Sequence, residues 1–103
     1  MEQADLLPQA KISEFCGRWR IVELALFGSV LRSDFGPESD LDVLVTFAAD
    51  ANWGLLDHHR MKEELEMLLG REVDLLTRRA VEQSRNWLRR REILSTAQVV
   101  YAA

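Results

Sequence analysis

The sequence predicts one domain of the α/β (α+β) class, a small mixed sheet flanked by helices. Short apolar runs, too brief for helices, alternate along the chain with stretches whose apolar residues recur every three or four positions. A length of 103 residues suits a single hydrophobic core. With 48% apolar and 29% charged residues, 5 Gly and 2 Pro, the composition is that of a globular chain rather than a disordered or low-complexity one.

The elements follow in order. Residues 9–19 read as a helix because Ile12, Phe15 and Cys16 fall on one face. Residues 21–27, Ile-Val-Glu-Leu-Ala-Leu-Phe, are short, apolar and stopped by Gly28, as in a buried strand. Ser29 to Ser33 would open a short helix, and Gly36-Pro37 forces a turn. The β-branched and aromatic content of residues 41–47 makes a second strand. Met61, Leu65, Leu68 and Leu69 stripe a helix over about 54–69, which Gly70 ends. Residues 72–76 form a third strand. The Arg-rich segment containing Trp87, Ile93 and Leu94 is a further helix, and a last strand covers Gln98 to Tyr101.

Composition also excludes some functions. The longest apolar run, Val99 to Ala103, is far short of the roughly 20 residues of a membrane-spanning helix. The first fifteen residues carry Glu2, Asp5, Lys11 and Glu14 and no apolar signal core, so the expectation is a cytoplasmic protein. Cys16 is a single cysteine, expected as core filling. The net charge of −4 argues against a binder that holds nucleic acid through phosphates alone. The charge is unevenly spread: residues 1–70 hold 6 Lys and Arg against 13 acids, residues 71–103 hold 7 Arg against 4. Arg78, Arg79, Arg85 and Arg89 to Arg91 therefore form either a solvated face or a contact for phosphates or an acidic partner. His58 and His59 are adjacent on a helix, about 100° apart, and cannot chelate one ion; both read as surface or partner-facing residues. Trp53, Trp87 and Tyr101 read as core or interface fillers.

The chemistry concentrates between Leu26 and Val45. Gly28-Ser29 lies where a strand hands over to a helix, so free backbone N–H groups make an anion site that glycine lets a phosphate approach. Asp40 and Asp42 are two apart on a strand, so both carboxylates leave the same face, with Cα atoms about 6.6 Å apart. Asp74 faces opposite to Val73 and Leu75 on the next strand. Two carboxylates 5 Å apart repel by roughly 3 kcal/mol at an effective dielectric of ~20. A divalent cation offsets this most directly, and an all-oxygen donor set selects a hard ion such as Mg²⁺. An anion nest beside a carboxylate cluster suits phosphoryl-type transfer from a nucleoside triphosphate.

A Gly-Ser pair followed after ten residues by Asp-x-Asp arises by chance in about one chain in a thousand of this length. Gly28-Ser29 and Asp40-x-Asp42 at that spacing resemble the hallmark of the DNA polymerase β nucleotidyltransferase superfamily. Leu26 to Ser29, Arg32, Ser39 to Val45 and Leu69 to Leu76 are similar to its smallest branch, the minimal nucleotidyltransferase (MNT) domains, with Ser33 standing where many members have Gly. The resemblance spans nearly the whole chain and implies the polymerase-β-type nucleotidyltransferase fold. It also implies that Asp40, Asp42 and Asp74 bind two Mg²⁺ ions, that Asp74 helps deprotonate the attacking hydroxyl, and that Gly28 and Ser29 hold the triphosphate of ATP, with Arg32 supporting either that turn or the phosphates; a helix-packing salt bridge is the other reading of Arg32. MNT domains commonly act as antitoxins of HEPN-type ribonuclease toxins, and some place AMP on a toxin tyrosine. The implied function is AMP transfer from ATP to a hydroxyl of a HEPN-type toxin; the alternative is a non-catalytic antitoxin that acts by occluding its partner.

Overall fold

The computed structural model describes residues 7–28 and 40–103. Along the chain run α1 (Gln9–Arg18), β1 (Ile21–Phe27), β2 (Leu41–Phe47), α2 (Leu55–Leu69), β3 (Val73–Thr77), α3 (Arg78–Glu82), α4 (Trp87–Thr96) and β4 (Gln98–Ala102). The strands form one mixed sheet in the order β3-β2-β1-β4. β2 and β3 are parallel and joined through α2, while β1 lies antiparallel to both β2 and β4.

The period-2 alternation of strand side chains produces the layers. Leu24, Leu26, Val43, Val45, Val73 and Leu75 point to one face and meet Ile12, Phe15 and Cys16 of α1 and Met61 and Leu65 of α2. The residues between them, Ala25, Phe27 and Leu44, form a smaller second core with Val81 of α3 and Ile93 of α4. Asp42 and Asp74 belong to this second face, since each alternates with residues of the first. Cys16 is the core filler expected of it, fully buried, with burial pushing its thiol up to about 12.

α2 begins where Asp57 Oδ2 accepts from the Gly54 N–H (3.0 Å) and ends at Gly70, whose φ of 70° is the left-handed C-cap geometry. Glu66 on α2 accepts from the Val73 backbone N–H (2.9 Å) and from Lys62 Nζ (3.0 Å). This carboxylate ties the crossover helix to the first residue of β3. The strand starts at Val73 rather than at the expected residue 72, and the Glu72 carbonyl instead accepts from the Leu41 N–H (2.9 Å). Trp53 lies edge-on to Trp19, with ring centroids 5.0 Å apart, and donates from Nε1 to the Trp19 carbonyl (2.7 Å).

Two expectations are corrected. The Arg-rich segment is two helices, not one: Thr77 Oγ1 caps α3 through the Ala80 N–H (3.1 Å), and Asn86 Oδ1 caps α4 through the Arg89 N–H (3.1 Å). Arg90 bridges the break, donating from Nη1 to the Ser84 carbonyl (3.0 Å). His58 is half-buried rather than a surface residue, because α2 packs it on β3, where Nε2 donates to the Leu75 carbonyl (3.0 Å). His59 remains exposed beside Glu63. The expected short helix from Ser29 to Ser33 and the turn at Gly36-Pro37 lie outside the described residues.

Candidate active site

The site is built by strand register. Asp42 pairs with Asp74 across the parallel β2–β3 ladder and with Phe27 across the antiparallel β1–β2 ladder. The two aspartates are thus lateral neighbours on one face, with backbones about 4.8 Å apart. Asp74 is exposed and sits on β3, an edge strand; Asp42 is half-buried on the inner strand β2. Asp40 precedes β2 by one residue and is exposed. Among the described residues, no group of three or more Asp, Glu, His or Cys side chains is close enough to hold a metal ion. The donor set nevertheless fits a hard dication: carboxylate oxygens on adjacent strands, with neither thiolate nor imidazole in the row.

Gly28 ends β1 with φ of 70°, a left-handed conformation that disfavours a side chain. It also lies against Asp42. A Cβ built on Gly28 would overlap Asp42 Oδ2 and stand 2.9 Å from its Cγ. Glycine here therefore does two things: it turns the chain out of the strand, and it leaves room for the carboxylate. Ser29 and Arg32 lie outside the described residues.

The remaining wall comes from α4, which the Gly-Ser and Asp-x-Asp pattern did not single out. Arg89, Glu92, Ile93 and Thr96 are spaced at i, i+3, i+4 and i+7, one stripe of the helix. Together with Phe27, Gly28 and Asp42 they line a cleft of about 200 Å³. Ile93 seats this stripe on the sheet by packing over Ala25 and Phe27. The signal available in the sequence was the helical spacing of an Arg, a Glu and a Thr around one buried Ile. A larger cleft of about 580 Å³ opens near Phe47, Trp53 and Thr77, at the other ends of β2 and β3 from Asp42 and Asp74.

The two aspartates on adjacent strands thus lie beside the glycine that ends β1. The model of the nucleotidyltransferase domain family matches residues 10–100, so the chain belongs to that family. It is 32% identical over 82 residues to protein adenylyltransferase MntA of Thermococcus cleftensis, covering 80% of this chain and 81% of that protein. To a Methanocaldococcus jannaschii protein named as a protein adenylyltransferase it is 33% identical over 64 residues, 62% of this chain; the match spans only 64% of that relative's length. Among solved structures, a minimal nucleotidyltransferase superposes with a TM-score of 0.64 at 37% identity, covering 86% of this chain and 85% of the other. The MNT–HEPN structure with the tri-AMPylated Shewanella oneidensis HEPN toxin shares the fold, with a TM-score of 0.62 at 20% identity over 92% of this chain and 70% of the other.

Proposed function

We propose that this domain transfers AMP from ATP to a hydroxyl of a protein partner, a tyrosine of a HEPN-type toxin, and so acts as its antitoxin. The observation that carries the reading is the pairing of Asp42 with Asp74 in one ladder rung, with Gly28 pressed against the Asp42 carboxylate. The names of the relatives as protein adenylyltransferases and the AMPylated toxin of the S. oneidensis complex support it.

Asp40, Asp42 and Asp74 would hold Mg²⁺, which when bound neutralises charge on the phosphates and on the attacking oxygen. The chain's own residues do the rest. Gly28, Ser29 and Arg32 would hold the triphosphate at the end of β1, where a backbone without Cβ permits close approach. Asp74, exposed on the edge strand, is open to a hydroxyl carried by a macromolecule and would take its proton. The hydroxyl oxygen then bonds to the α-phosphorus, the bond to the β-phosphate oxygen breaks, and pyrophosphate leaves. Asp42, half-buried between Phe27 and Asp74, keeps its place because β2 is paired on both sides.

The test is incubation with α-labelled ATP, Mg²⁺ and a HEPN-family protein from the same organism. Label on a partner tyrosine, lost with Asp42→Asn, supports the reading. Partner inhibition that survives Asp40→Ala combined with Asp42→Ala would replace it with occlusion.

A further inference from the structure

We propose that Arg89 is a binding residue for the polyphosphate chain of the nucleotide, a role outside the Gly-Ser and aspartate pattern; this rests on the nucleotidyltransferase reading above. Four observations lead to it. Arg89 lines the same 200 Å³ cleft as Gly28 and Asp42. Among the described residues it is the one Lys or Arg of that lining, which also includes Asp42, Glu92 and Thr96. Its guanidinium makes no ion pair with a described residue. The neighbouring arginines are otherwise placed: Arg78 pairs with Glu82 and Glu23, Arg90 is bonded to the Ser84 carbonyl at the α3–α4 break, and Arg91 is exposed outside the cleft.

The chemistry follows from charge. A triphosphate carries several negative charges and is favoured by a facing cation, and arginine presents a planar fork of donors matched to phosphate oxygens. Arg89 is held to its task by the helix: its own backbone N–H is capped by Asn86, and Ile93, one turn on, is locked in the second core. The stripe that seats α4 on the sheet is thus the stripe that brings a cation to the Gly28–Asp42 end of the site.

The test uses inorganic tripolyphosphate and α,β-methylene-ATP as probes, titrated calorimetrically into the full chain at fixed Mg²⁺. Arg89→Ala is expected to weaken both about 10- to 100-fold, the worth of one charge-assisted contact. Arg89→Lys should recover part of the loss, and Arg91→Ala, on the same helix outside the cleft, should bind as the parent does. In turnover, Arg89→Ala should raise KM for ATP and leave KM for the protein acceptor unchanged. Circular dichroism melting of each variant verifies folding, which Arg89→Lys preserves even if the alanine change does not. Parent-like binding of both probes by Arg89→Ala, or equal losses with Arg91→Ala, would overturn the proposal while the nucleotidyltransferase reading stands. Absence of binding by the parent would overturn that reading and this one with it.

Discussion

Gly28 and Gly70 share a φ of 70° but differ in surroundings, which makes them a matched pair for separating backbone strain from crowding of the site. Replacing either with alanine places a Cβ in the left-handed region, at a cost of about 1–2 kcal/mol. At Gly70 the new atom has nothing within 4 Å, so strain is the whole effect. In a domain of this size that lowers Tm by roughly 4–10 °C. At Gly28 the Cβ collides with the Asp42 carboxylate, standing 2.9 Å from Cγ and 3.3 Å from the Asp42 Cβ. Crowding of this kind adds about 1–3 kcal/mol. Asp42 is paired to strands on both sides and cannot move without either disturbing the ladder or swinging its carboxylate away. A displacement of ~1 Å at a reacting centre costs about 10²-fold in rate. Gly28→Ala is therefore expected to melt below Gly70→Ala and to lose AMP transfer by about two orders of magnitude, while Gly70→Ala transfers at the parent rate. Thermal melting by circular dichroism and label transfer from ATP measure the two effects. If Asp42 swings aside, the gap in Tm narrows but the loss of rate persists. Transfer by Gly28→Ala at the rate of Gly70→Ala would refute the reasoning.

Three further outcomes are expected. Asp74→Asn should abolish transfer yet leave the ligand-free domain as stable as the parent, or more stable by up to about 1 kcal/mol, because it removes repulsion of Asp42 at a solvent-exposed position; chemical denaturation measures this, and a clear loss of stability would assign Asp74 a structural role. The Val73 backbone N–H, then Lys62, holds the Glu66 carboxyl below its ordinary value of 4.5. Such a group contributes stability that is present above the unfolded value and lost as pH falls through the folded one. Stability should therefore decline below about pH 4.5, and Glu66→Gln should flatten that acid limb in urea titrations. Cys16, with its thiol raised from 9.0 to about 12, stays protonated in the fold while the unfolded chain ionises, so stability should fall as pH rises through that interval. At neutral pH its alkylation by iodoacetamide should proceed only as fast as the domain unfolds, and rapid labelling of the native state would contradict the burial.

Element type was legible in the sequence because it is written locally. The three-and-four spacing of Ile12, Phe15 and Cys16 and of Met61 and Leu65, and the brevity of the runs at 21–27 and 41–47, each lie within a few residues and report which face must be buried. The spacing of Gly28-Ser29 from Asp40-x-Asp42 was equally visible and pointed to the family. Tertiary structure decided what those residues meet. Asp74 lies beside Asp42 only because β3 is parallel to β2 in a particular register, which Glu66 helps set by holding the Val73 N–H. The contact of Gly28 with Asp42, the turning of His58 onto the Leu75 carbonyl and the arrival of Arg89 at the site cleft likewise join residues far apart in the chain. Periodicity states which face a residue occupies; which neighbour it finds there depends on strand order, register and helix docking, and these are properties of the whole packed chain.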